Sequence, residues 1–198
     1  MMKQKLFSPV ATLCLLAIFP LGGCSDLAQS SQSQSSNTTR ISVYFSPKGG
    51  TTEALLKEIN SAKNEILVQA FSLTSGPIAQ ALVNAQKRGV NVQVILDRSQ
   101  RNDKNSEADF LVLSRIPVYI DSRHAIAHNN CVIIDSSLLL TGSFNFTRAA
   151  AENNAESLLV IRGNKILVNK YIQNFELHKA HSEMYKGQAK RIEGAKPR

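Results

Sequence analysis

Cysteine is scarce in this chain of 198 residues, which has three cysteines and no tryptophan. Cys14 and Cys24 lie within or at the end of an apolar N-terminal segment, so Cys131 is the single cysteine left for the rest of the chain. One cysteine cannot form an intrachain disulfide, and it cannot build a cysteine-based zinc site. Neither an intrachain disulfide nor a cysteine-based zinc site can therefore stabilise the globular part.

The apolar N-terminal run, residues 10–21, is too short for a comfortable transmembrane helix. It follows Lys3 and Lys5 and ends in Leu-Gly-Gly-Cys, a pattern typical of a secretory signal peptide over residues 1–24. The ending resembles the lipobox of bacterial lipoproteins, which implies that Cys24 is lipidated. The alternative is simple cleavage by signal peptidase, which would release a soluble periplasmic protein.

The segments beyond the signal peptide differ sharply in composition. Residues 25–39 are rich in Ser and Gln and are predicted to be a flexible tether. A globular domain is expected over residues 40–186, followed by a polar tail over 187–198. We expect an exported, periplasmic protein held at a membrane, and Ser25, by resemblance to enterobacterial lipoproteins, favours the outer membrane.

Acidic residues are few: 15 Asp and Glu stand against 23 Lys and Arg, for a formal net charge of +8. A basic surface favours polyanions, which here means nucleic acid or the anionic face of a membrane. A solvated surface with no special partner is the alternative. The 43% hydrophobic content suits one globular domain, and the chain is too short for two.

Strands and helices alternate along the domain, which predicts an α/β sandwich with a central mixed sheet. Strands are predicted over 41–45, 65–71, 90–96, 117–120, 131–134, 138–141 and 156–162. Helices are predicted from 51 or 52 through 59, from 77 until Gly89, over 107–113 and from 165 to about 186. Candidate core residues of the last helix are Ile166, Tyr171, Phe175 and Met184. No internal repeat is present, so we expect one site per chain.

Beyond position 127, several polar residues lie at the ends of the predicted strands. His128 stands before an apolar strand, where a histidine can act as a nucleophile or a general acid near neutral pH. Ser143 and Asn145 alternate along an extended segment and can donate hydrogen bonds to a phosphate, while Gly142 allows close approach of the backbone. Glu156 could hold the imidazole in one tautomer. The alternative is an ordinary turn with a surface histidine.

The joint spacing of these residues resembles the motif H-x-K-x(4)-D-x(6)-G-S-x-N of the phospholipase D superfamily. The matching positions are His128, Asp135, Gly142, Ser143 and Asn145, with Glu156 downstream. The resemblance continues upstream over residues 66–97. It is strongest to the single-motif bacterial endonucleases of the Nuc type, which are related to mitochondrial cardiolipin hydrolase-like proteins. It implies a phospholipase D-like α-β-α sandwich.

The resemblance also implies a mechanism in which two motifs meet at one active site. One histidine attacks phosphorus to form a phosphohistidine, and the other protonates the leaving oxygen. No metal or other cofactor is required. A chain with one motif must borrow the second, which implies a homodimer with both His128 side chains at a shared site. Asp135 and Gly142 are expected to be structural.

Asn130 departs from the motif, which has lysine at this position. Asn130 is expected to bind the substrate phosphate together with Ser143 and Asn145, but it carries no charge. Losing one charged stabiliser costs on the order of 3–4 kcal/mol of transition-state binding, or about 100- to 1000-fold in rate. Arg123 or Arg148 could partly substitute.

Three further histidines are interpreted as non-catalytic. His178 and His181 stand three apart on a predicted helix, a spacing that can bind metal, but with no acidic partner evident they are assigned to a solvated face. His124 is expected to be a residue of the site's rim.

Three functions remain open at this point. The leading hypothesis is a phosphodiesterase that hydrolyses DNA or RNA. The second is a phospholipase acting on headgroups, which a membrane tether would serve well. The third, motivated by Asn130, is a weakly active or non-catalytic protein that binds phosphate or nucleic acid.

Overall fold

The computed structural model describes residues 38–188; the expected leader, Cys24 and nearly all of the expected tether and tail lie outside the described residues. Within this range, eight strands form one sheet in the order β1-β7-β6-β5-β2-β3-β4-β8. The strands are β1 Arg40–Ser46, β2 Glu65–Ala70, β3 Asn91–Asp97, β4 Val118–Asp121, β5 Cys131–Ile134, β6 Leu138–Gly142, β7 Glu156–Arg162 and β8 Glu183–Met184.

The sheet is mixed, as predicted. Strands β2, β3 and β4 are parallel neighbours, whereas every other neighbouring pair is antiparallel. One edge of the sheet therefore collects the carboxyl ends of β1, β2, β3, β4 and β6 and the amino ends of β5 and β7. We call this edge the His128 edge, because His128 lies three residues before β5.

Helices cover both faces of the sheet, which confirms the predicted α-β-α sandwich. They are α1 Thr51–Ser61, α2 Gly76–Lys87, α3 Ala108–Leu113, α4 Arg148–Glu152 and α5 Lys165–His181. Helices α1 to α4 contribute to the larger apolar core, with Leu55, Leu82 and Leu111 fully buried. Helix α5 closes the other face through Val168 and Phe175. None of these described helices is both long and apolar enough to cross a membrane.

The C-terminal helix is shorter than predicted. It ends at His181, and Glu183–Met184 then pairs with β4 as an edge strand. Phe175 is buried as expected, and it lies seven residues after Val168 on the same helix face. Ile166 and Met184 were wrongly predicted as core: they are 76% and 59% exposed, because one lies off that face and the other on the terminal strand.

Two features escaped the sequence analysis. The short helix α4 follows the Gly-Ser-x-Asn segment, and its first turn is capped by the Thr147 hydroxyl, which accepts a hydrogen bond of 3.0 Å from the Ala150 N–H. The polar tail was expected from Gly187, yet the Gln188 N–H donates to the Asp109 carboxylate at 3.0 Å. Contacts with the domain therefore continue two residues past its predicted end.

Candidate active site

His128 is exposed at the His128 edge, in the segment that leads into β5. Its ring packs edge-on against Phe71, with ring centroids 4.8 Å apart. Within residues 38–188, no protein group hydrogen-bonds to its ring nitrogens. The imidazole is therefore placed by packing, and both nitrogens stay open to a ligand.

Gly142 ends β6 where the chain passes very close to β7. A Cβ added at this position would lie 2.1 Å from the Ser157 carbonyl oxygen, so no other residue fits without moving the backbone. The next residue, Ser143, is exposed, and its hydroxyl oxygen accepts a hydrogen bond of 3.1 Å from the Ser157 N–H. The hydroxyl proton remains available for an anion.

The segment after Gly142 is extended and alternates in direction. Phe144 and Phe146 are fully buried in the larger core, so Ser143 and Asn145 point away from it. The Phe146 N–H donates to the Ser72 carbonyl oxygen at 3.1 Å, which fixes this segment beside the chain that follows β2. Packing of the two phenylalanines thus orients the two polar side chains.

Asn130 is buried and joins the end of β2 to the Gly-Ser-x-Asn segment. Its side-chain oxygen accepts a hydrogen bond of 3.1 Å from the Phe71 N–H. Its amide nitrogen donates to the Asn145 side-chain oxygen at 3.0 Å and to the Ser143 carbonyl oxygen at 3.4 Å. Both amide hydrogens are used, so Asn130, expected to bind phosphate, has no donor left for one in this conformation.

Glu156 begins β7 at the same edge but does not contact His128 in the described chain. Its carboxylate accepts a hydrogen bond of 3.1 Å from the Asn154 side chain, and its N–H donates to the Ser46 hydroxyl at 3.2 Å. The predicted pairing of glutamate with imidazole is therefore not formed within one chain.

Asp135 lies at the opposite edge of the sheet, in the turn after β5. Its carboxylate accepts hydrogen bonds from the N–H groups of Lys63, Asn64 and Glu65 at 2.7 to 3.0 Å. Burial alone would raise the pKa of Asp135, but these bonds outweigh it and hold the pKa below its usual range. The carboxylate fixes the turn to the start of β2 and is remote from His128.

The two arginines considered as substitutes for the motif lysine differ in their surroundings. The Arg148 guanidinium pairs with Glu152 at 2.8 Å, and its hydrogen bond to that carboxylate raises the pKa of Arg148. Arg123 is exposed, and none of the carboxylates between residues 38 and 188 pairs with its guanidinium. Of these two arginines, Arg123 is therefore the one without a carboxylate partner among the described residues.

A second polar cluster at the His128 edge was missed by sequence reasoning. It surrounds the carboxylate of Asp121, the last residue of β4, and we call it the Asp121 cluster. Its members are Asp121, His124, His178 and His181. The interpretation of the α5 histidines as a solvated face was wrong, because His178 and His181 both contact Asp121.

Hydrogen bonds in the Asp121 cluster control the carboxyl group. Burial alone would raise the pKa of Asp121, but hydrogen bonds from His178, His181, the Arg123 N–H and His124 together hold it far below its usual range. Asp121 is thus an anion at any ordinary pH. Its partners are 57 and 60 residues away along the chain in α5, so sequence spacing alone gives no signal of this cluster.

Comparison with known proteins identifies the family. The domain family described as cardiolipin synthase, PLD-like domain matches residues 55–179. The phospholipase D of Rickettsia conorii is 40% identical over 142 residues, which cover 72% of this chain and 70% of that protein. A mitochondrial cardiolipin hydrolase from Chlamydomonas reinhardtii is 31% identical over 121 residues, covering 61% of this chain and 54% of that protein.

The fold has a close counterpart among solved structures. The phospholipase D family member Nuc from Salmonella typhimurium superposes with a TM-score of 0.73 at 33% identity, covering 76% of this chain and all of that one. NucT from Helicobacter pylori has the same fold, with a TM-score of 0.68 at 23% identity. This chain belongs to the phospholipase D superfamily of phosphodiesterases.

Proposed function

We propose that this chain is a phosphodiesterase that hydrolyses DNA or RNA through a phosphohistidine intermediate on His128. The observation that carries the proposal is the open imidazole of His128 at the same sheet edge as the Ser143 hydroxyl and the Asn145 amide. These groups offer a nucleophile and two neutral hydrogen-bond donors to one phosphate.

The proposed reaction takes two displacements at phosphorus. A nitrogen of His128 attacks phosphorus, an N–P bond forms and the P–O bond to the leaving group breaks. His128 of a second copy gives its proton to the leaving oxygen. Water then attacks phosphorus and gives a proton to the second His128, the N–P bond breaks, and both imidazoles return to their starting states. The roles of Ser143 and Asn145 are to hold the non-bridging oxygens.

Asn130 acts in this proposal as a positioning residue. Its two donors hold Asn145 and the Ser143 carbonyl, which keeps the phosphate-binding segment in place but supplies no charge. Arg123 is the proposed source of positive charge. We expect a slower enzyme than a relative that has the motif lysine, because a neutral donor stabilises the transition state less than a cation.

A second copy of the chain is needed to complete the site, and β1 offers a surface for it. Ile41, Val43 and Phe45 alternate along this edge strand and leave an exposed apolar stripe. Phe45 is paired with Ser157, beside the Ser143 hydroxyl, so the stripe reaches the His128 edge. This exposed apolar stripe supports a homodimer with a shared active site, in which the stripe is buried against the same stripe of the second copy.

Nucleic acid is proposed as the substrate because the chain carries a net charge of +8 and is 33% identical to Nuc over that chain's full length. Phospholipid is the second candidate, since relatives bear the names phospholipase D and mitochondrial cardiolipin hydrolase. A location in the periplasm, tethered to the outer membrane through Cys24, is part of the proposal and fits either substrate.

The deciding experiment incubates the purified full chain with plasmid DNA, single-stranded RNA, and vesicles containing cardiolipin or phosphatidylcholine. Cleavage of nucleic acid that is lost in His128→Ala supports the proposal. Release of headgroups or phosphatidic acid without nuclease activity favours the phospholipase. Salt-sensitive retention of DNA with no cleavage of any substrate favours the binding protein, for which the neutral Asn130 is the motivating observation.

A further inference from the structure

The Asp121 cluster joins two distant parts of the chain. Asp121 ends β4, and His124 follows in the loop that leads to His128. His178 and His181 lie one helical turn apart at the end of α5. One ligand atom from each of the four side chains lies within 4.8 Å of all the others.

The hydrogen-bond geometry around Asp121 is crowded. Nδ1 of His178 lies 2.6 Å from Oδ2 of Asp121, Nδ1 of His124 lies 3.1 Å from it, and Nε2 of His181 lies 3.2 Å from it. One carboxylate oxygen has about two lone-pair sites, so three imidazoles exceed what it accepts well. A cation would instead take a lone pair from each of the four groups.

Burial in the cluster is graded from the sheet outward. The Asp121 side chain is fully buried, and those of His178 and His181 are 13% and 20% exposed. His124 is 44% exposed and closes the outer side. A buried carboxylate requires a positive partner, and the exposed His124 side leaves a path by which an ion enters.

The remaining features match an ordered metal site. The Arg123 N–H donates to Oδ1 of Asp121 at 3.0 Å, which fixes the carboxylate. Oδ2 faces His178 and His181, whereas Nδ1 of His124 lies near both oxygens, 3.1 Å from Oδ2 and 3.3 Å from Oδ1. In a tetrahedral zinc site with ligands about 2.0–2.1 Å from the ion, the ligand atoms stand roughly 3.3 Å apart. The spacing in the cluster requires only small side-chain shifts to reach that arrangement.

We propose that the Asp121 cluster binds one zinc ion through three imidazole nitrogens and one carboxylate oxygen. Imidazole and carboxylate ligands suit zinc, and four protein ligands make a closed, structural site without an open position for substrate. The ion fastens the end of α5 and β4 to the loop that carries His128. This inference stands on the geometry of the cluster and is independent of the proposed substrate.

The test measures zinc binding rather than hydrolysis. The untagged full chain is stripped with a chelator, dialysed and titrated with zinc in competition with a chromophoric chelator. The same titration is run on His124→Asn and His181→Asn. The matched control is His128→Ala, which removes a histidine from the same loop but outside the cluster. Cobalt in place of zinc reports tetrahedral coordination by its visible absorption.

We expect one zinc ion per chain in the natural protein and in His128→Ala. Loss of an outer-shell partner already weakens metal binding 10- to 100-fold, so each cluster variant should bind at least about 100-fold more weakly. Absence of stoichiometric zinc in the natural protein, or binding unchanged in both cluster variants, overturns the proposal. If His181→Asn fails to fold by circular dichroism, the exposed His124→Asn decides.

Discussion

The side chain of Asn130 donates a hydrogen bond of 3.0 Å to the side chain of Asn145. The position at which the family motif has a lysine is thus occupied by a neutral group that holds Asn145, a residue proposed to bind phosphate. Asn130 also accepts a hydrogen bond from the Phe71 N–H. It therefore connects Phe71, whose ring packs against His128, to the segment that carries Ser143 and Asn145. The site keeps its alignment while it lacks a central charge.

Replacing Asn130 with lysine should raise phosphodiesterase activity by roughly a hundredfold or more, because a charged donor beside the phosphate is worth about 2.7–4 kcal/mol. The measurement is kcat/KM on plasmid DNA as a function of pH, with vanadate inhibition as a second readout.

Asn130→Met is the matched control, since methionine has nearly the length of lysine without its charge. Both variants lose the hydrogen bonds of Asn130, which should cost about 1–3 kcal/mol of unfolding free energy. A gain in Asn130→Lys alone assigns the effect to charge. No gain over a rapidly cleaving natural protein would show that another cation, with Arg123 the first candidate, already does this work.

His128→Ala should abolish hydrolysis while leaving the melting temperature within a few degrees of that of the natural protein. The side chain is exposed and forms only a ring contact with Phe71, so its removal opens no cavity in either core. Activity and thermal unfolding are measured on the same preparation. Undiminished cleavage by the folded variant would falsify the role given to His128.

Local signals made most of this fold predictable. Apolar strands such as β2 and β5, the proline at the start of α2 and the apolar spacing of α1 each follow from neighbouring residues. The end of α5 did not, because nothing local shows that Glu183–Met184 pairs with β4. Long-range strand pairing is a tertiary property, and it overrides the helical periodicity of the segment.

The candidate site shows the same limit. His128 precedes β5 and Asn145 follows β6, the neighbouring antiparallel strand, so the sequence predicts that both residues lie at the same end of this strand pair. It could not show that the Asn130 amide turns inward, since that depends on the N–H of Phe71, which directly follows β2. It also could not bring Asp121 to His178, because only the packing of α5 on β4 joins them.

A charge in the apolar stripe of β1 should break the proposed homodimer. Val43→Lys places an ammonium group among Ile41 and Phe45, and burying it unpaired is too costly for the interface to form. Sedimentation velocity at micromolar concentration should show a dimer for the natural chain and a monomer, with lost hydrolysis, for the variant. Leu113→Lys, an equivalent change on α3 at the other face of the sheet, is the control and should remain dimeric. A natural chain that is monomeric under these conditions would contradict the shared active site.

Asp135→Asn should destabilise the protein by about 1–3 kcal/mol at pH 7, because three backbone N–H groups lose a charged acceptor. The pKa of Asp135 is lowered by folding, so its contribution is complete above about pH 4, the unfolded value, and is lost as the pH falls through the folded pKa. Urea unfolding at pH 7 and pH 3 should therefore show a smaller difference at pH 3. Glu53→Gln, a change at an exposed carboxylate on α1, is the control. If Asp135→Asn lowers the free energy of unfolding equally at both pH values, the Asp135 charge does not stabilise the turn.

Cys131 should resist thiol reagents in the folded chain. Burial raises the pKa of its thiol to about 12, although a hydrogen bond from the Gln69 backbone opposes the shift, and the reactive thiolate is correspondingly rare. At pH 8, iodoacetamide should label the peptide containing Cys131 only after denaturation, as read by mass spectrometry.

The raised pKa of the Cys131 thiol also affects the stability of the protein. The neutral thiol's contribution is complete below about pH 9.0, the unfolded value, and declines as the pH rises towards 12. Cys131→Ala should therefore lose less stability than the natural chain between these pH values. In the labelling experiment, a reaction of the folded chain as fast as that of the denatured chain would show that Cys131 is accessible after all.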